Sequence, residues 1–269
     1  MIYLKRLIFL LLITTSCQST GQLKVEADIA QHLKEVSAVE TSTASSLIWT
    51  IEDSGNRNQL VGLNAEGTVI NTITITNAKN EDWEDLTADD EGNIYIGDFG
   101  NNNEKRKIFR IYKVKFEDLD KTTAIANIIE FELPKKQDSK DFEAFFLYQN
   151  YFYIFSKEHK KFLVLKVPNI EGKHLAKIHS DYKLDGKNNK ITSADLSDDG
   201  KTIVLLNHDK LWKLSGFKGA DFFSGHITEL PFEHKSQKEG ICFKNNAEVL
   251  ITDERRGTDG GNIYSFNLN

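Results

Sequence analysis

EDWEDLTADDEGNIYIGDFG, residues 81–100, reads as two strands joined by a tight turn. Trp83-Glu84-Asp85-Leu86 opens the first strand, and Asn93–Gly97 forms the second. Between them, Asp89-Asp90-Glu91-Gly92-Asn93 supplies the residues a hairpin tip requires. A polar residue begins the unit, and the acidic Asp98 ends it. The same order returns four times. Lys34-Glu35-Val36-Ser37-Ala38, Phe142-Glu143-Ala144-Phe145, Thr192-Ser193-Ala194-Asp195-Leu196 and Lys238-Glu239-Gly240-Ile241 each open a strand. Anchored on Glu35, Glu84, Glu143, Ser193 and Glu239, the spacings are 49, 59, 50 and 46 residues. That matches the roughly 40–50 residues of a four-stranded propeller blade.

Working outward, each unit acquires further strands. Second strands run over Trp49–Asp53, Tyr95–Asp98, Ile154–Glu158, Leu205–Asp209 and Leu250–Glu254, and third strands over Gln59–Leu63, Phe109–Val114, Phe162–Val167, Leu211–Leu214 and Ile263–Phe266. Fourth strands fit at Val69–Thr76, Ile128–Leu133, Leu175–Tyr182 and Ile227–Leu230. The fifth unit lacks a fourth strand, and Gln22–Glu26 is a spare. The sequence therefore predicts an all-β propeller of five four-stranded blades, closed by Gln22–Glu26 pairing with Gly261–Asn267. A six-bladed ring is the alternative, if Lys115–Gln137 conceals extra strands. Helical periodicity is confined to Ala27–Leu33.

The 269 residues carry a net charge of −6, with 39% hydrophobic and only three prolines, which is a globular composition. The acidic balance argues against nucleic acid as a partner. Lys5 and Arg6, then the apolar Leu7–Ile13, then Thr14-Thr15-Ser16-Cys17 read as a bacterial lipoprotein signal. The expected organisation is a signal peptide over residues 1–16, an anchor linker over 17–21 with Cys17 lipidated, and a single propeller over 22–269. Localisation is expected at the cell envelope, on the outer membrane or facing the periplasm, with the membrane a partner through the lipid. Removing residues 1–16 takes away two basic residues and no acid, which deepens the charge to −8. Cys242, in Ile241-Cys242-Phe243, is expected to be a buried thiol.

Propeller topology gives the acids a meeting place. First strands line the channel and second strands run antiparallel to them, so first-strand starts and second-strand ends share one mouth. Glu35, Glu84, Glu143 and Glu239 stand at starts, and Asp53, Asp98 and Asp253 stand at ends. These seven are the candidate metal ligands. A hard cation would be calcium or magnesium. Lys157, Lys238 and Arg255 are candidates for holding an anion. A polar plug that ties strand ends together is the competing reading. No catalytic residue is assigned. The seven histidines show no HxH or HExxH spacing, and no GxSxG, P-loop or GxGxxG occurs, so no organic cofactor is expected. Gly97–Asn103 is expected to be a tight loop, Trp83 a core residue, and Glu104–Lys107 a solvated turn.

Asp53-Ser54-Gly55-Asn56, Asp82-Trp83-Glu84-Asp85-Leu86, Tyr95–Asn102 and Asp141-Phe142-Glu143-Ala144 resemble motifs of exported bacterial phytase-like or esterase-like propellers of the TolB-like group. The resemblance is strongest over residues 49–157. It implies a propeller, export, and calcium-assisted hydrolysis of phosphoesters or esters. Carried over position by position, it implies roles for Asp53, Asp82, Glu84, Asp98, Asp141, Glu143 and Glu239. Glu52-Asp53 stands for the family's Asn-Asp, and Gly100-Asn101-Asn102 for Gly-Asp-Asn. Two function classes follow. One is an envelope-anchored module that binds a small molecule or an envelope protein. The other is a calcium- or magnesium-dependent hydrolase of phosphoesters, esters or lactones.

Overall fold

The computed structural model describes residues 23–269. The expected signal segment 1–16 and the expected linker 17–21 with Cys17 lie outside the described residues. Five sheets, each with four antiparallel strands, form the blades. Strand β1 (Lys24–Asp28) comes first in the chain. Blade 1 holds β2 (Val36–Ser42), β3 (Ser45–Glu52), β4 (Gln59–Leu63) and β5 (Val69–Ile75). Blade 2 holds β6 (Trp83–Ala88), β7 (Ile94–Asp98), β8 (Ile108–Val114) and, after the two-residue β9 (Thr123–Ala124), β10 (Asn127–Glu132). Blade 3 holds β11 (Phe142–Tyr148), β12 (Tyr151–Ser156), β13 (Phe162–Pro168) and, after β14 (Gly172–Leu175), β15 (Lys177–Tyr182). Blade 4 holds β16 (Ser193–Leu196), β17 (Thr202–Leu206), β18 (Lys210–Ser215) and β19 (His226–Pro231). Blade 5 holds β20 (Lys238–Asn245), β21 (Glu248–Asp253) and β22 (Asn262–Asn267).

β1 completes blade 5, pairing antiparallel with β22 from Lys24↔Ser265 to Asp28↔Asn262. The ring is thus closed by the N-terminal strand. The segment that raised the six-blade alternative makes no sixth blade. Its β9 adds in parallel to β5 of blade 1, and its β10 is the outer strand of blade 2. In the same way β14 adds to β10. The connector before each of these outer strands therefore covers the edge of the preceding blade. The region 27–33 is strand and turn, not helix. Among the described residues the one helical element is the 3₁₀ turn Phe116–Asp118.

Alternation along each strand sends successive side chains to opposite neighbouring blades. On β7, Ile94 and Ile96 face blade 1 and share a core with its Ile51 and Leu60 and with Trp83 of their own blade, while Tyr95 faces Phe145 and Phe152 of blade 3. Five such cores fill the five blade interfaces. Trp83 and Cys242 are fully buried within them.

Polar residues tie the first strands around the axis. Asp85 accepts from Phe145 N at 3.1 Å, Ala194 N at 3.3 Å, Leu86 N at 3.0 Å and Ser193 Oγ at 2.8 Å. Ser193 Oγ accepts in turn from Ile241 N at 3.0 Å. One carboxyl thus joins blades 2, 3 and 4, and one hydroxyl carries the link to blade 5.

Candidate functional site

The mouth of the channel is built by β-bulges. In the first hairpin of blades 1, 2, 3 and 5 the register shifts by one residue, between Val36 and Ala38, Trp83 and Asp85, Phe142 and Ala144, and Lys238 and Gly240. The extra residues are Ser37, Glu84, Glu143 and Glu239. A bulge leaves its residue outside the ladder and re-aims the side chain, here into the mouth. Blade 4 has no bulge, and Ser193 pairs directly with Leu206.

Next to the bulges, a matched backbone bond fixes a second ring of positions. Asp53 N donates to Glu35 O, Lys157 N to Asp141 O and Glu254 N to Gln237 O, each at 2.9 Å, and Gly100 N donates to Asp82 O at 3.1 Å. Asp53, Gly100, Lys157 and Glu254 are therefore equivalent. Asp98 and Asp253 pair with Trp83 and Lys238 as Glu52 pairs with Val36, so they take the position of Glu52, one residue before that of Asp53, and in blade 2 Phe99 is an extra residue ahead of Gly100. That offset turns them to the other side of the strand.

Asp53, Asp82 and Glu84 each offer a carboxylate oxygen within 4.8 Å of the others. Glu84 is only 7% exposed, and no hydrogen-bond donor among the described residues reaches its carboxylate. Burial first, then Glu143, Asp53 and Asp82, push its pKa well above the usual range. Asp82 is pushed up to about 7 by burial and by Asp53. Its Oδ1 is buried without a partner. Gly100 lies over the group: a Cβ there would stand 2.5 Å from the Asp82 carboxyl carbon and closer still to Glu84 Oε1. Three oxygens that repel one another, an unsatisfied buried acceptor and a residue without a side chain fit a hard cation, which prefers charged oxygen ligands.

Two oriented pairs flank this triad. Lys157 Nζ donates to Glu143 Oε2 at 2.7 Å, and this pairing with Glu143 and Glu239 holds the ammonium pKa above its usual value despite burial. His208 Nε2 lies 3.0 Å from Glu239 Oε1. Glu254 accepts from Gln237 Nε2 at 2.9 Å, and burial with Glu239 nearby raises it to about 7.

The structure divides the sequence candidates. Asp53, Glu84, Glu143 and Glu239 face the mouth. Glu35 is exposed on its rim and accepts from Asn56 Nδ2 at 2.7 Å. Asp98 is fully buried, bound by Arg106 Nη2 at 2.7 Å and by Tyr112 Oη at 3.4 Å. Asp253 is equally buried, accepting from Asn262 N at 2.8 Å and Tyr264 Oη at 2.7 Å. Both carboxylates clamp their second strand to the third, and Asp98 Oδ1 also accepts from Asp82 N at 3.2 Å, beneath the triad rather than in it. Lys157, Lys238 and Arg255 do not converge. Lys238 is buried beneath the mouth, donating to Ser236 Oγ at 2.9 Å and His208 O at 3.2 Å, and burial lowers its pKa to about 8. Arg255 binds Asp28 and donates to Ile29 O at 2.7 Å, fastening blade 5 to the chain after β1. Arg106 was expected in a solvated turn but reaches back to Asp98. Of Gly97–Asn103, expected to be a loop, Gly97 and Asp98 instead close β7, and Phe99–Asn103 is loop, held by Asn101 Oδ1, which accepts from Lys105 N and Arg106 N at 2.9 Å. Asp82 was marked by the motif resemblance alone, and Glu254 by no signal beyond its place beside Asp253.

Residues 16–210 match the SdiA-regulated family. The chain belongs to that family. The SdiA-regulated match takes in the triad, the Glu143–Lys157 pair and blades 1 to 3. No curated protein sequence matches this family member. Among solved structures it is similar to a gluconolactonase of Xanthomonas campestris, at 8% identity with a TM-score of 0.53, covering 93% of this chain and 90% of that one. It is also similar to the PQQ-bound aldose sugar dehydrogenase of Streptomyces coelicolor, at 8% identity with a TM-score of 0.52, covering 92% and 98%. Virginiamycin B lyase of Staphylococcus aureus matches at 13% identity with a TM-score of 0.46, and the chain spans 66% of that protein's length. At these identities the likeness is one of propeller fold.

Proposed function

We propose that this protein is a propeller binding module that takes a divalent cation on Asp53, Asp82 and Glu84 and presents it to a ligand at the channel mouth. The observation that carries the reading is the buried Glu84 carboxylate, which has no donor of its own beside two further carboxylates. Calcium or magnesium would supply the missing positive charge, and solvent or ligand oxygens would complete its coordination. The test is thermal melting of wild type and Glu84→Gln, with calcium and with chelator. Calcium should raise the wild-type melting temperature by several degrees and move the variant much less. In chelator the variant should melt at or slightly above wild type, because a repulsion is gone. A wild-type melt indifferent to both additions sinks the cation site.

A second reading, cation-dependent hydrolysis of a phosphoester, ester or lactone, is favoured by the His208–Glu239 pair. An imidazole oriented by a carboxylate is a suitable general base beside a cation-bound substrate. Turnover of nitrophenyl phosphate, nitrophenyl acetate or gluconolactone that is lost in both Glu84→Gln and His208→Gln would select it. Binding without turnover keeps the first reading. The module would be held at the cell envelope by a lipid on Cys17. The support is the order Lys5-Arg6, Leu7–Ile13, Thr14–Cys17. Mass spectrometry should find a mature chain starting at an acylated Cys17, and an unprocessed N-terminus rejects the anchor.

A further inference from the structure

Blade 4 breaks the pattern of the mouth. It has no bulge, and Ser193 stands where blades 2, 3 and 5 carry glutamate. Beside that gap a cavity of about 230 Å³ opens between blades 3 and 4. Its walls reverse the charge of the mouth. Lys157 and His159 come from the end of blade 3's second strand, Lys190 from the approach to β16, and His208 from the end of β17. Lys157 and His208 already have partners on the mouth side, Glu143 and Glu239. Lys190 and His159 make no hydrogen bond or ion pair among the described residues. One acid, Asp209, stands at the edge, where it accepts from Asn188 Nδ2 at 3.2 Å. At about 30 Å³ for each liquid water, the space exceeds what one oxyanion needs.

We infer that this cavity is an oxyanion subsite, which takes a carboxylate or phosphate group through Lys190, His159 and the outward side of Lys157. Ammonium and imidazolium groups bind such oxygens through charge-assisted hydrogen bonds, which are stronger than neutral ones. Lys157 is shared between Glu143 and the incoming anion, so it joins the subsite to the acidic centre. If the proposed cation is also present, one ligand can place an anionic group here and a neutral or anionic oxygen on the metal. That second half rests on the proposed function; the subsite does not.

The test is calorimetric titration of the full-length chain, stripped of divalent cations, with inorganic phosphate and separately with malonate. Saturable binding of at least one is expected, and Lys190→Met should weaken it about tenfold, the size of one charged hydrogen bond. Lys160→Met, a substitution at an exposed lysine outside the cavity, should leave affinity unchanged. Phosphate alone binding assigns a phosphoryl ligand, malonate alone a carboxylate, and both a pocket that reads charge. No saturable binding of either anion overturns the subsite. So does wild-type affinity in Lys190→Met, or an equal loss in Lys160→Met, which would make overall charge the cause. Glu84→Gln should keep anion binding while losing the calcium shift, so the two sites fail separately.

Discussion

Gly100 is the residue on which the proposed cation site depends most directly. Its backbone bond to Asp82 O sets it over the carboxylates, where any side chain meets Asp82 and Glu84. Gly100→Ala should cost about 2 kcal/mol in chelator, the usual range for overpacking. It should also abolish the calcium-induced shift, because the two acids must turn away. Urea unfolding with and without calcium checks both parts. The same residues show where sequence reading reached its limit. Asp98 and Asp253 look like Asp53 in the primary structure, since each closes a second strand with an acid. One residue of register separates them, and in a strand one residue changes the face. The bulges that aim Glu84, Glu143 and Glu239 are properties of pairing rather than of composition. Thus the glutamates were legible as strand openers, whereas Ser37, not Glu35, proved to be their counterpart in blade 1.

At the scale of elements, the innermost strands are held by polar groups that apolar patterning does not reveal. Asp85 accepts four donors drawn from three blades. Asp85→Asn would turn an amide against at least one pair of those donors, leaving buried groups unpaired. A loss of about 3 kcal/mol is expected from equilibrium urea unfolding. An unchanged midpoint would mean that the first strands are held by apolar contacts alone. The strands themselves were readable because β-branched and aromatic runs between Gly, Asn and Asp turns announce them. The short β9 and β14 were not, because each earns its place from the edge of another blade rather than from its own sequence.

The whole molecule concentrates carboxyls at both ends of its channel. Asp82 and Glu254 at the proposed site, and Asp195 at the opposite mouth, are raised to about 7, each chiefly by burial. Glu84, Glu143 and Glu40 are raised in the same direction, again chiefly by burial. A carboxyl whose folded pKa exceeds its unfolded value binds more protons when folded. Its stabilisation is complete at low pH and is lost as pH rises through the folded pKa. In chelator the melting temperature should therefore fall from about pH 4, the unfolded carboxyl range, to about pH 7.5. His234, lowered by burial and by Lys238, acts in the opposite sense but is a single group. Above that window Lys238, lowered to about 8, regains stability on losing its proton. Calcium competes with protons for carboxylates, so its stabilisation should grow as pH rises. It should flatten the part of the fall that belongs to Asp82 and Glu84, leaving that of Glu40 and Asp195. Melting curves in steps of half a pH unit measure both slopes. Blade count and closure were legible at this scale, because the repeat period and the missing fourth strand are visible in the letters.

Closure by β1 also fixes an order of assembly. β1 precedes every blade on a growing chain, yet its partner β22 emerges after every other strand of the ring. Until then β1 has no ladder, and blade 5 cannot be completed. Pairing across nearly the whole chain carries a large loop-closure cost, so the final step of folding should be slow. During the wait, β22 of one molecule presents an open edge that β1 of another can fill. Exchange of that strand between two copies is therefore the misassembly this ring invites, most of all at high concentration.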